Sequence, residues 1–189
     1  YDEYTHAPLQ RRVFMKRLAK LVGGTAAAAA LLPALENNYA QAAMVAESDA
    51  RIKTAWSTYR GKTGPVKAYT AWPATGSKFP AVVVVHENRG LNPHIQDIAR
   101  RLAVEGFLAL AVDGLSALGG TPADEDKARE LIGKLNGPDT LADYVAAVRT
   151  AQGHGLSNAK VGIIGFCWGG GIVNQVLVNS PEVDAGVAF

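Results

Sequence analysis

Ala81-Val82-Val83-Val84-Val85 is an unbroken apolar run, with valine at every position after the first. A strand with one face in water alternates apolar and polar side chains, so a run without alternation has both faces covered. Strands of that kind belong to parallel sheets flanked by helices. The run therefore confines the chain to an α/β architecture with a helical layer on each side of the sheet.

The neighbouring segments fit that frame. Arg51–Tyr59 and Pro65–Trp72 alternate loosely, with Gly61–Gly64 between them, which predicts a hairpin at a sheet edge. Asn92 ahead of Pro93 is a helix start. Ile95, Ile98, Ala99, Leu102 and Ala103 follow at helical spacing, and Gly106 stops the helix. Phe107–Val112 reads as a second buried strand. Thr121-Pro122 is expected to open a second helix, with Asp124, Glu125 and Asp126 in its positive first turn and Ala128, Leu131, Ile132 and Leu135 as its apolar stripe. A third helix is expected from about Asp139 to Gln152, packed through Leu141, Tyr144, Val145 and Val148. A strand at Val161–Ile164, a helix at Trp168–Asn179 and a strand at Val183–Phe189 complete the series. Repeated β-α units predict a right-handed, mostly parallel, doubly wound sheet.

Residues 1–42 read separately. Gln10-Arg11-Arg12-Val13-Phe14-Met15-Lys16 precedes an Ala- and Leu-rich segment of about 15 residues and then Ala40-Gln41-Ala42, the three parts of an export signal. The apolar segment is short of the ~20 residues of a membrane span. The paired arginines resemble a twin-arginine signal, read by the machinery that exports folded proteins. Cleavage after Ala42 would release residues 43–189 into the periplasm with no stable membrane anchor. This leader holds five basic and three acidic residues, and the remainder balances at 14 of each sign. A neutral body with scattered basic residues has no excess charge for a nucleic-acid backbone. One cysteine excludes an internal disulfide and a Cys-rich zinc site.

That cysteine stands in Gly165-Phe166-Cys167-Trp168-Gly169-Gly170-Gly171, between a strand and a helix. The run has the form of a nucleophile elbow with Cys in the usual Ser place. So tight a turn needs small residues two positions either side of the nucleophile, and Gly165 and Gly169 supply them. The following helix N-terminus favours a thiolate and a developing oxyanion. The plain alternative is a buried structural Cys. Gly61-Lys62-Thr63 has the tail of a phosphate-binding loop, but Trp56 stands where that motif needs Gly. The second element, His86-Glu87-Asn88-Arg89-Gly90, directly follows the valine run. In doubly wound sheets ligands sit outside the carboxyl ends of strands, where both elements lie. A backbone N–H here, paired with that of Trp168, could form an oxyanion hole. His86 reads as a hydrogen-bonded strand-end histidine, Glu87 as a site carboxylate or a solvated one, Arg89 as a surface arginine and Asp113 as a turn cap. His154, ahead of the Val161 strand, falls on the face opposite Cys167.

Together, His86-Glu87-Asn88-Arg89-Gly90 and Gly165-Phe166-Cys167-Trp168-Gly169-Gly170 resemble the dienelactone hydrolase (carboxymethylenebutenolidase) family, whose exported branch the twin-arginine leader matches. The resemblance implies an α/β-hydrolase fold and opening of a small-molecule lactone or ester through a Cys-His-Asp triad, with no metal or cofactor. It implies Cys167 as nucleophile, Glu87 as the glutamate that contacts the thiol and helps control its ionisation, and Asn88 and Trp168 as oxyanion-hole donors through their backbone N–H groups. Two departures accompany it. After Asp113 the chain reads Gly114-Leu115-Ser116-Ala117, without the arginine that binds a substrate carboxylate in some members. The family's triad Asp and His follow later strands, so the chain is expected to be a fragment whose C-terminal strands are missing, inactive by itself. A non-catalytic α/β-hydrolase-fold binding protein is the alternative.

Overall fold

The computed structural model describes residues 43–189, so the export signal expected on residues 1–42 lies outside the described residues. Six strands form one sheet: β1 Ile52–Arg60, β2 Pro65–Pro73, β3 Phe79–Val85, β4 Leu108–Val112, β5 Ser157–Gly165 and β6 Ala185–Ala188. Their order across the sheet is β1-β2-β4-β3-β5-β6. β1 and β2 pair antiparallel as the expected edge hairpin, and β2 meets β4 antiparallel. The strands from β4 through β6 run parallel.

The valine run is buried on both faces as its composition demands. Ala81, Val83 and Val85 join Leu108, Leu110, Val112, Val161 and Ile163 in one core. Val84 joins Ala109 and Ala111 in the other, with Val82 and Ile164 packed against it. Fully burying such a side chain contributes roughly 1.5–3 kcal/mol, so β3, like β4 beside it, anchors both layers.

Helix α1, Pro93–Val104, covers the second core with Ile95, Ile98, Ala99 and Ala103. The Asn92 carboxamide caps it by accepting from the Ile95 N–H at 3.1 Å, and Pro93 stands in its first turn, where no N–H is needed. Helix α3, Gly137–Gln152, and helix α4, Trp168–Asn179, cover the first core, through Tyr144, Ala147, Val148 and Ala151 and through Ile172, Val173 and Val176. Helix α2, Glu125–Ile132, is capped by Asp124.

Boundaries differ from expectation at four elements, the first being β5, which begins at Ser157, four residues ahead of Val161. α2 starts at Glu125 rather than Thr121, because Thr121 is bound to Asp113, and only Ala128 of its expected stripe is buried. α3 starts at Gly137, where the Asn136 side chain accepts from the Asp139 N–H at 3.0 Å. β6 is limited to Ala185–Ala188, four exposed residues. The Gly61–Gly64 turn serves the hairpin: Asp143 of α3 accepts from the Thr63 N–H at 3.0 Å and its hydroxyl at 2.6 Å.

Candidate active site

The strand after β3 in the chain, β4, lies on one side of it, reached through α1 on one face. The strand after β5, β6, lies on the far side, reached through α4 on the other face. Adjacent strands whose following helices part to opposite faces leave a crevice between their carboxyl ends. β3 and β5 are such a pair, in register with Val85 opposite Gly165. His86–Gly90 leaves one rim of the crevice and Phe166–Gly169 the other, so the two sequence elements meet.

Cys167 has φ 53° and ψ −113°, a left-handed backbone at the start of α4. A non-glycine residue held there costs of order 1–3 kcal/mol and persists only where its surroundings impose it. The surroundings are on both sides. The Cys167 N–H donates to the Phe189 carbonyl at 2.8 Å, and the Phe189 N–H to the Gly165 carbonyl at 2.9 Å. The Phe166 and Phe189 rings stack with centroids 5.3 Å apart. A Cβ on Gly165 would collide with the Gly169 carbonyl, so the small residues required by the elbow are required here by contact. The thiol is exposed, which excludes the buried structural cysteine.

Trp168 is the first residue of α4, and its N–H lies outside the helical ladder. Among the described residues neither this N–H nor that of Asn88 has an acceptor. Asn88 and Glu87 are half-buried in the turn after β3. His86 is fully buried. Its ring stacks on the Trp168 indole at 5.2 Å between centroids and 14° between planes, and Tyr144 meets that indole edge-on at 6.4 Å. Burial lowers the His86 pKa below the ordinary value, against the raising influence of the Glu87 carbonyl and Asp113.

Asp113 is the turn cap it was expected to be. Its carboxylate accepts from the Leu115 N–H at 3.1 Å and from the Thr121 N–H and hydroxyl at 3.0 and 2.7 Å. Thr121 in turn accepts from the Leu91 N–H at 2.8 Å, tying the loop after β4 to the loop that carries Asn88. Arg89 is not a solvated arginine. It pairs with Glu125 of α2 at 2.9 Å. His154 lies ahead of β5, at the amino end of the sheet, and accepts from the Leu156 N–H at 3.2 Å. Sequence reasoning missed Thr121, Gly114 and Phe189 as parts of the site, and read Tyr144 only as a packing residue. Each acts through contacts between segments far apart in the chain.

A groove of about 640 Å³ opens on the α1 face, lined by Met44, Val45, Ile98, Leu102, Phe166 and Phe189 among others. Phe166 is its border with the elbow, so the groove lies beside the thiol rather than over it.

Comparison with known proteins agrees with this arrangement. The dienelactone hydrolase family matches residues 66–189. The hydrolase fragment YghX of Escherichia coli K12, itself provisionally named, is 52% identical over 107 residues, covering 55% of this chain and 92% of its own. A provisionally named carboxymethylenebutenolidase of Methylorubrum extorquens is 38% identical over 130 residues, covering 67% of this chain and 45% of its own. Among solved structures, a provisionally assigned dienelactone hydrolase from Klebsiella pneumoniae matches with a TM-score of 0.64 and 31% identity, over 72% of this chain and 59% of its own. The dienelactone hydrolase-like promiscuous phosphotriesterase P91, from metagenomic libraries, matches with a TM-score of 0.63 and 25% identity, over 74% and 59%. The chain spans about half the length of the carboxymethylenebutenolidases that it matches. With two-thirds of its residues inside the family match, and with a cysteine elbow facing a His-Glu-Asn-Arg-Gly turn across a parallel sheet, the chain belongs to the dienelactone hydrolase family.

Proposed function

We propose that this protein opens a small lactone or ester through a thioester on Cys167. The observation that carries the reading is the pose of Cys167: an exposed thiol on a positive-φ backbone, at the head of a helix, across the crevice from a second loop with an unpartnered N–H. The thiolate attacks the acyl carbon, and the carbonyl oxygen gathers charge between the Asn88 and Trp168 amides. The C–O bond breaks to release the alcohol, which a ring-opened lactone keeps attached, and water then cleaves the thioester. Glu87 acts on the ionisation of the thiol from the facing loop. Thiolate attack suits an ester or lactone better than a peptide, whose amine must be protonated to leave.

Within residues 43–189, His86 has both ring nitrogens engaged, His94 lines the α1 groove and His154 lies at the far end of the sheet. None is placed to activate water at the thioester, so these residues alone should acylate without multiple turnover. Treatment with p-nitrophenyl acetate tests the reading. A burst of nitrophenolate and an acetyl group on Cys167 are expected, both abolished in Cys167→Ala. An alkylatable thiol that acquires no acetyl group would favour the binding protein.

The leader supports export to the periplasm. Replacing Arg11 and Arg12 by Lys should leave the precursor in the cytoplasm, and normal export of that variant would remove the twin-arginine reading.

A further inference from the structure

The buried His86 ring has both nitrogens committed. Nδ1 stands 2.6 Å from the Glu87 carbonyl, and Nε2 stands 3.1 Å from the Gly114 nitrogen. A carbonyl oxygen only accepts and a backbone N–H only donates, so Nδ1 carries the proton and Nε2 presents a lone pair. No other protonation state satisfies both partners. The ring face adds the stack on Trp168. One side chain thus touches the loop after β3, one residue before Asn88, the loop after β4 at Gly114, and the first residue of α4.

We infer that His86 is a positioning residue for the oxyanion hole, holding the Asn88 and Trp168 amides at a fixed separation, and that it does so only as the neutral ring protonated on Nδ1. The inference rests on the reading of those two amides as oxyanion donors. The titratable groups shown near the ring are Asp113 at the end of β4 and Tyr144 of α3, while Glu87 and Cys167 adjoin it only along the chain, next to His86 itself and to Trp168. Asp113 is occupied by Leu115 and Thr121, and Tyr144 presents a buried hydroxyl without a partner. Protonation at Nε2 would aim a second donor at the Gly114 N–H. The ring has little room to withdraw, since it is fully buried and stacked on the Trp168 indole. The strain must pass to the Asn88 loop or to Trp168. Burial favours the neutral ring, in the sense the geometry requires.

Two reagents at one thiol test this in the whole protein. Acylation by p-nitrophenyl acetate passes through an oxyanion, whereas alkylation by iodoacetamide is a displacement at carbon that makes none. Both need the thiolate, so the ratio of their rates cancels its fraction. The ratio should fall on acidification in a single titration. In His86→Gln, which keeps an acceptor and a donor but does not titrate, it should stay flat. In His86→Leu it should be lower at every pH, by on the order of 10²-fold, as when an oxyanion donor is lost. A ratio independent of pH in the unsubstituted protein overturns the inference, whether or not the variants fold. So does an unchanged ratio in a folded His86→Leu. Alkylation without any acylation of the unsubstituted protein at neutral pH would instead remove the thioester reading.

Discussion

Gly169 passes so close to the carbonyl of His86 that a Cβ on it would stand 2.5 Å from that oxygen and 2.8 Å from the Val85 carbonyl. Both obstacles are backbone, at and just beyond the end of a strand held on each side by parallel neighbours, so neither gives way as a flexible side chain would. Gly169→Ala must push α4 away from β3. Overpacking of this kind costs about 1–3 kcal/mol, and the displacement opens the crevice between Trp168 and the loop that carries Asn88. A lower urea midpoint is expected, together with a larger loss in Cys167 acylation than in alkylation. Equal losses in the two reactions would show that the elbow moves as a unit without disturbing the amides.

Glu87 is half-buried in the turn after β3, and the proposed function sets its carboxylate beside the Cys167 thiol. A carboxylate beside a thiol disfavours the thiolate, and its removal should ease ionisation. In Glu87→Gln the pH profile for alkylation of Cys167 should therefore move to lower pH. A move to higher pH would identify Glu87 as the acceptor of the thiol proton, and no move would place it out of contact.

His86 also sets an acid limit on stability. Its folded-state pKa lies below the value of about 6.5 that it regains on unfolding, so the unfolded chain binds the proton more readily. Its contribution is complete above pH 6.5 and is lost as the pH falls from there through the folded-state value. The half-buried Asp49 and Glu182 and the exposed Asp184, all held below the usual carboxylate range by hydrogen bonds to neighbouring groups, lose their contributions only at lower pH. Denaturant midpoints measured between pH 7.5 and 5.5 should fall in the native protein, and fall less in His86→Gln. Parallel slopes would assign the acid sensitivity elsewhere.

Arg100 and Asp97 form a buried pair at 3.4 Å that grips one residue of the leading segment. Arg100 Nε donates to the Val45 carbonyl at 2.6 Å, and the Asp97 carboxylate accepts from the Val45 N–H at 3.0 Å. Arg100→Met leaves a buried carboxylate without its cation, a loss of about 3–5 kcal/mol. Residues 43–49 should then be released to proteases well below the unfolding midpoint. Protection of that segment in the variant would show that apolar packing of Val45 is enough to hold it.

The layers of the fold were readable from residue order because they rest on local periodicity. The valine run, the helical spacing from Ile95 to Ala103 and the glycines of the elbow each state their environment within a short window. Thr121 was misread for the opposite reason. Thr-Pro ahead of acidic residues is a good helix start, yet its hydroxyl donates to Asp113, eight residues back, and accepts from Leu91 of a different loop, which only the fold brings near. His86 was placed correctly as a strand-end histidine, but its tautomer depends on Gly114, 28 residues away. Boundaries at α2 and β6 moved because tertiary contacts, not local propensity, decide where those elements begin.

The two hydrogen bonds that join Phe189 to the elbow also place events in time. Synthesis delivers Cys167 well before Phe189, and the strained backbone of the cysteine has no acceptor for its N–H until β6 lies beside β5. Until then nothing imposes the strained backbone, and Cys167 is expected to sit in a relaxed turn. Pulse acylation during refolding should find Cys167 unreactive toward the ester until the amides of β6 are protected from exchange, and earlier reactivity would break the link. On this order Cys167 should reach its elbow pose late, after β6 has paired with β5.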